Sequence, residues 1–217
     1  MYFDFISKFI QESFVNAYGL SGIIFVCKSS NHWISEFIFA KINNKLMPKA
    51  KHVKESLTIM TEMVMPNDTN TLGNLMGGNL MRMMDVAGAI AAQKHSNRIV
   101  VTASVDNVSF VNPIPLGNVV TLEAKITRAF NTSMEVVVDV FSENIPAGQK
   151  SKTNQAFLTF VAVDQSGRPI EIAEAIPETD LEYELFEGAL RRRQLRLVLA
   201  GRMKPEDATE LKAIFKI

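Results

Sequence analysis

The stretch "GGNLMRMMDVAGAIAAQKH", residues 77–95, reads as one apolar helix with a carboxylate near its middle. Between Asn79 and Gln93 only Arg82 and Asp85 carry charge, and small residues crowd around Asp85: Ala87, Gly88, Ala89, Ala91 and Ala92. An aspartate costs helix propensity and, if buried, on the order of several kcal/mol of desolvation unless it is paired. Either the site is wetter than its neighbours suggest, or that carboxylate does chemistry.

Outward from this helix the chain becomes strand-like. Before it, residues 55–65 alternate loosely like a strand, and "PNDTNTLGN" (66–74) is a loop by its turn chemistry. After it come four strand-like runs. "RIVVTASVDNVSFV" (98–111) is β-branched and alternating and closes at "NPIPLGN" (112–118). "VVTLEAKITRAF" (119–130) and "MEVVVDVFSE" (134–143) are separated only by "NTS", a hairpin-length connection. "KTNQAFLTFVAVD" (152–164) ends at the turn "QSGRP" (165–169). The tail "PETDLEYELFEGALRRRQLRLVLA" (177–200) reads as a helix that begins at a proline and stops before Gly201, with a last short helix from Pro205. One helix cannot cover both faces of such a sheet, but it can lie along one concave face. The predicted class is α+β, an antiparallel sheet wrapped around a long central helix, its edge protected by pairing with another copy.

Composition bounds the function. The chain has 217 residues, 47% hydrophobic and 21% charged, with a formal net charge of zero, so nothing global points to nucleic acid or an acidic membrane. The single cysteine, Cys27, excludes an intramolecular disulfide and suits a reducing compartment, so a cytoplasmic location is expected. His32, His52 and His95 lie far apart, and neither HExxH nor CxxC occurs, so no metal site is expected. "GLSGIIFVC" (19–27) is too short to span a membrane and lacks the flanks of a signal peptide.

The composition shifts near residue 47. Ten of the eighteen aromatic residues, including Trp33, fall in residues 1–46, which show no sustained period. That segment is expected to be a dispensable extension of unknown role, with Met47 a candidate native start; a segment lying at a membrane interface is the alternative. The expected division is 1–46, a main domain over 47–176, and a C-terminal helical segment over 177–217.

"PNDTNTLGNLMGGNLMRMMDVAGAIAAQKH", with "VTASVDNVSFVNPIPLGNVVTLEAKI" and "NTSMEVVVDV", resembles the hotdog-fold acyl-CoA thioesterases, above all the cytosolic long-chain hydrolases and their short bacterial relatives. The likeness covers about residues 57–196, and residues 1–46 have no counterpart in it. It implies hydrolysis of fatty acyl-CoA to free fatty acid and coenzyme A, with coenzyme A entering only as part of the substrate and no separate cofactor. It also implies a homodimer, and suggests a trimer of such dimers, in which Asn74 of one subunit and Asp85 of the other form one site.

The residues fit that chemistry on their own terms. Thioester hydrolysis needs a polarised carbonyl and an activated water or nucleophile. The helix start at Gly77 and Gly78 offers unpaired N–H groups and a favourable dipole, and glycine lets a carbonyl oxygen approach the backbone. Asn74 can hydrogen-bond beside the same place. Asp85 lies about 10 Å along the helix, too far for its own helix start but within reach of an antiparallel partner's. It can serve as general base for water or as nucleophile in an anhydride path. The hairpin "RAFNTSME" offers Arg128, Asn131, Thr132 and Ser133 as polar donors, and the resemblance places the coenzyme near this turn. "RRRQLR" (191–196) is a basic cluster that can meet phosphates, although cations in the last turns of a helix are common.

Each reading has a plainer rival. Asp85 can simply pair with Arg82 on a solvated strip. Asn74 can be a turn residue, Gly77 and Gly78 can serve packing, and Arg128 to Ser133 can form an ordinary hairpin. Met76, Met81, Met83 and Met84 suit core or an acyl tunnel. Asp68 and Thr69 read as loop hydrogen-bonders, and His95 as a helix-end residue suited to the dipole. A non-catalytic acyl-CoA-binding or sensing module is the functional alternative, and Asp85 argues for the enzyme. A hotdog dehydratase would want a histidine near the reacting centre, and none precedes His95 in the loop or helix.

Overall fold

In a computed structural model, which describes residues 49–215 other than 107, 109 and 111, the chain runs β1 (Ala50–His52), β2 (Thr58–Met63), α1 (Gly77–Ser96), β3 (Ile99–Asp106), β4 (Val119–Ala129), β5 (Ser133–Asn144), β6 (Gln149–Val163), β7 (Glu174–Ile176), α2 (Asp180–Leu199) and α3 (Thr209–Phe215). The expectations for residues 1–46 lie outside the described residues. Five strands form one antiparallel sheet in the order β2-β4-β5-β6-β3.

Alternation builds the core. On β4 the side chains of Val120, Leu122, Ala124 and Ile126 are buried while Val119, Thr121, Glu123 and Lys125 alternating with them are less so. They face α1, which buries Leu80, Met83, Met84, Ala87, Gly88, Ala91 and Ala92 against the sheet. The small residues let the helix lie close. A Cβ on Gly88 would come within 3.0 and 3.1 Å of the Phe160 ring, and Phe160 is wholly buried.

Several boundaries differ from the sequence reading, among them the end of β3 at Asp106 rather than 111 and the start of β6 at Gln149 rather than 152. The run 55–65 is a 3-10 turn, Val53–Ser56, followed by β2, because Ser56 is a buried staple. Its Oγ donates to the Val53 carbonyl (2.6 Å) and accepts the Ile126 N–H (2.9 Å). The C-terminal helix starts at Asp180 rather than Pro177, since Thr179 caps it: Thr179 Oγ1 accepts the Glu182 N–H while Glu182 Oε2 accepts the Thr179 N–H. From Pro205 the chain makes a 3-10 turn before α3. A further element carries no local signal: three-residue β1 and β7 pair in parallel.

Helix α2 docks on the opposite face of the sheet from α1. Its Arg192 binds the fully buried Glu135 of β5 through Nε and Nη2 (3.1 and 2.7 Å to Oε1) and stacks 3.9 Å over Phe157. Thr127 Oγ1 donates to the same carboxylate at 2.6 Å. Removing one partner of such a buried pair typically costs about 3–5 kcal/mol.

His95 is not the dipole-facing cation that its place in α1 suggests. It is 1% exposed, its Nε2–H donates to the Ala173 carbonyl at 2.9 Å, and its Nδ1 has no partner among the described residues. Burial pushes its pKa below the ordinary 6.5, against the opposing pull of the Ala173 carbonyl. Between the folded pKa and 6.5 the unfolded chain binds more protons, so stability is complete above that range and is lost as pH falls through it. We expect Tm to drop on acidification from roughly pH 7 to 5.5, and His95→Gln to flatten that slope in a thermal-melt series.

Candidate active site

The approach to α1 is a loop tied by its own side chains. Asp68 accepts the Met76 N–H on its carbonyl (2.8 Å), the Met65 N–H on Oδ2 (3.3 Å) and Asn79 Nδ2 on Oδ1 (3.3 Å). Thr69 Oγ1 donates to the Pro66 carbonyl at 2.8 Å, so both are loop hydrogen-bonders as read. Asn70 organises the next turn: its Oδ1 accepts the Leu72 and Asn74 N–H groups (2.9 and 3.2 Å), and its carbonyl accepts Gly73 N–H. Gly73 has φ +73°, the left-handed region that glycine adopts without strain. Asn74 is set by this turn and by a bridge to Pro115.

This loop delivers Met76 as the N-cap, and Met76 supplies no side-chain cap. The first helical bond is Leu80 N–H to the Met76 carbonyl (3.1 Å), which leaves the N–H groups of Gly77, Gly78 and Asn79 without an intrahelical acceptor. The two glycines differ. A Cβ on Gly77 would lie 3.3 Å from the Phe110 ring, whereas one on Gly78 would meet nothing within 4 Å. Packing inside the protomer explains the first and not the second.

Asp85 is half-buried, and its Oδ1 accepts a 2.6 Å hydrogen bond from Thr102 Oγ1 on β3. The rival pairing with Arg82 does not form, because Arg82 reaches Glu62 instead (3.9 Å). Asp85 therefore has a neutral donor as its partner, and the helix rise keeps it about 12 Å from its own Gly77. Sequence reasoning missed Thr102. The available signal was that it is the one polar residue in the strand run Ile99–Ala103. It also missed Asn70, whose signal was the Asx-type spacing of "NTLGN".

The hairpin residues lie elsewhere. Arg128 stacks 3.9 Å over Phe186 of α2 and donates to its carbonyl (3.2 Å); burial lowers its pKa from the ordinary arginine value, with Glu210 opposing. The carbonyls of Asn131 and Thr132 accept N–H groups of Ile172 and Ala162, and that of Ser133 closes the hairpin to Phe130. These four sit at the β4–β5 turn, with Arg128 under α2, and the fold does not bring them to Asp85 of the same chain. Most of the basic cluster is spent on packing: Arg192 on Glu135, Arg193 over Phe130 (4.4 Å) and Arg196 on Asp106 (2.6 Å). Among the described residues no three of His, Cys, Asp and Glu converge as a metal set.

Comparison with known proteins identifies the family. The model of the thioesterase superfamily matches residues 72–148. The chain is 39% identical over 145 residues to the uncharacterised acyl-CoA thioester hydrolase YkhA of Bacillus subtilis, covering 67% of this chain and 84% of that protein. It is 32% identical over 164 residues to the human cytosolic acyl coenzyme A thioester hydrolase, covering 74% of this chain but only 43% of that longer protein. Among solved structures, an apo-hexameric acyl-CoA thioesterase is 41% identical with a TM-score of 0.69, over 70% of this chain and 97% of that one. The Staphylococcus aureus acyl-CoA hydrolase, in complex with butyryl coenzyme A and coenzyme A, is 34% identical with a TM-score of 0.66, over 70% and 95%. The chain belongs to the hotdog-fold acyl-CoA thioester hydrolases of the thioesterase superfamily.

The contrasting glycines give a test. Gly88→Ala should lower Tm, because the wedge against Phe160 outweighs the gain in helix propensity of about 1 kcal/mol. Gly78→Ala should hold or raise Tm yet slow thiol release from acyl-CoA, if a carbonyl must approach that amide. Paired melts and assays separate the two outcomes.

Proposed function

We propose that this chain hydrolyses fatty acyl-CoA to free fatty acid and coenzyme A at sites shared between subunits. The observation that carries the mechanism is the Asp85 carboxylate, held by the Thr102 hydroxyl and, among the described residues, by no cation, in a stretch of α1, residues 83–92, whose other residues are all apolar or small. Thr102 occupies one oxygen and leaves the other for a water or for the thioester carbon. The carbonyl oxygen lies on the open N–H groups of the partner's Gly77 and Gly78, which take up the charge that develops there. Asp85 removes a proton from a water that attacks the carbonyl carbon, or attacks that carbon itself to give an anhydride that water then hydrolyses. In either path the C–S bond breaks, water supplies the hydroxyl of the fatty acid, and a proton from that water passes to the sulfur so that coenzyme A leaves as the thiol. Acyl-CoA and water are the only reactants this scheme needs, and coenzyme A enters as part of the substrate.

The related S. aureus hydrolase supports the assignment. Its structures include variants in which an asparagine, an aspartate and a threonine are each replaced by alanine, spaced by 15 and 17 residues. Asn70, Asp85 and Thr102 have the same spacing here. Asn70 therefore joins Asn74 as a polar group of the loop facing the substrate. The coenzyme is proposed to lie along the β4–β5 hairpin, with Asn131, Thr132 and Ser133 as donors and Arg128 as positive charge.

Assembly follows from two apolar surfaces. One comprises Met81, Val86 and Ile90 of α1 with Val105 of β3, an edge strand; the other is the β2 flank of Leu57, Ile59, Met63 and Met65. Dimers through the first, joined in threes through the second, make the proposed trimer of dimers, in keeping with hexameric relatives. The thioesterase domain is proposed to run over 47–176, with 177–217 as the helical segment bound to it. A cytoplasmic location is proposed from the cytosolic relatives, and among the described residues no helix is long and apolar enough to cross a membrane.

Asp85→Asn should cut kcat about 10²–10⁴-fold with little change in KM, measured by thiol release across acyl-CoAs from acetyl to palmitoyl. No hydrolysis of any of them by the wild type would favour a binding module. Mixing Asp85→Asn with Asn74→Ala subunits should restore up to about half the wild-type activity per heterodimer, since both lesions fall in one composite site. An active monomer in light scattering would overturn the shared site.

A further inference from the structure

We propose that Arg196 and Asp106 are positioning residues for the Asp85–Thr102 pair, so that the C-terminal helix sets the competence of the active site. The inference rests on the catalytic reading of Asp85. It starts from an irregularity in β3: the register against β6 shifts between Thr102 and Ser104, leaving Ala103 as the extra residue of a bulge. Thr102 pairs with Phe160, which packs against Gly88 of α1, while Ser104 and Asp106 pair with Thr159 and Phe157, and Phe157 carries Arg192 of α2. In a regular strand residues 102, 104 and 106 would share one face. The bulge instead turns Thr102 toward α1 and turns Ser104 and Asp106 toward α2.

Both faces of this edge strand are then held by short polar contacts. On one side Thr102 Oγ1 meets Asp85 Oδ1 at 2.6 Å. On the other, Asp106 accepts Ser104 Oγ on Oδ1 and Arg196 Nη1 on Oδ2, each at 2.6 Å, with both ionic side chains about one-fifth exposed. A charge-assisted bond in that setting is short and directional. Within the protomer β3, like β2 at the other edge, has one neighbouring strand, so its register is less determined than that of the inner strands. A slip of one residue beyond the bulge would turn Thr102 away from Asp85. The Arg196–Asp106 contact blocks that slip from a helix that never touches the reacting atoms.

The test is a double-mutant cycle on kcat in the full-length protein. Arg196→Ala and the isosteric Asp106→Asn should each lower kcat about tenfold or more with KM little changed, in the range that misplacing a catalytic group produces. Combined with Thr102→Ala, either should lower kcat no further than Thr102→Ala alone, because it acts through that hydroxyl. Arg196→Lys should recover part of the loss. Lys125→Ala, which removes a different tie between the sheet and α2, through Glu182, should leave kcat unchanged. Unaltered kcat in Asp106→Asn, or losses that add to that of Thr102→Ala, would overturn the inference. Asp85→Asn, run in parallel, separates the layers: full turnover there overturns the catalytic reading itself, whereas an inactive Asp85→Asn beside an unaffected Asp106→Asn overturns only the positioning role.

Discussion

The contact of α1 with the sheet at Gly88 and Phe160 is the constraint on which the remaining structure depends. A helix of ordinary side chains stands about 8–10 Å from what it packs against, and larger residues hold it further away. Glycine and alanine at 87, 88, 91 and 92 let α1 settle into the concave face, with Met83 and Met84 filling the space beside it. That depth carries Asp85 to the level of the edge strand, where a threonine hydroxyl can reach it. It also leaves the opposite flank of the helix, with Met81, Val86 and Ile90, uncovered. The small-residue face, the carboxylate and the apolar flank are three consequences of one placement.

The second face of the sheet obeys different chemistry. There the side chains include Glu135, Thr127 and Phe157, and α2 meets them with arginines rather than with an apolar stripe. Arg192 satisfies Glu135 with two donors, and the aromatic ring beneath its guanidinium covers the desolvated charge. Gly188 belongs to this arrangement, because a Cβ there would come 2.7 Å from Arg192 Nη1. The sheet thus separates an apolar seat for the site helix from a charged seat for the clamping helix.

Much of this was legible in the chain. The long helix showed in its apolar run, and β4, β5 and β6 showed in their alternation, because a core on one side imposes those periods locally. Asp85 stood out because a charge is costly where its neighbours are apolar. Its partner did not, since Thr102 meets it only when β3 bulges and folds back along α1, a condition written in tertiary contact rather than in spacing. Glu135 read as an ordinary strand residue for the same reason: its burial depends on an arginine 57 positions away. Arg191 to Arg196 read as a free basic cluster because nothing local distinguishes a guanidinium seeking phosphate from one seeking a buried carboxylate. The pairing of β1 with β7 rests on strands of three residues, too short for any period to appear.

The two edges of the sheet are unlike, and that difference bears on what the chain avoids becoming. An edge strand is a template, and a molecule with apolar flanks at both ends of its sheet can in principle add copies head to tail without limit. Such growth requires β2 of one copy to lie along β3 of the next. The six residues of β2 pair regularly with β4, whereas β3 carries its extra residue at Ala103. A strand with a bulge and one without cannot keep register across that point, and a bulge-bearing strand matches best against its own copy turned end to end. The irregularity that aims the Thr102 hydroxyl at Asp85 thereby also favours closed, two-fold pairing over an open fibre.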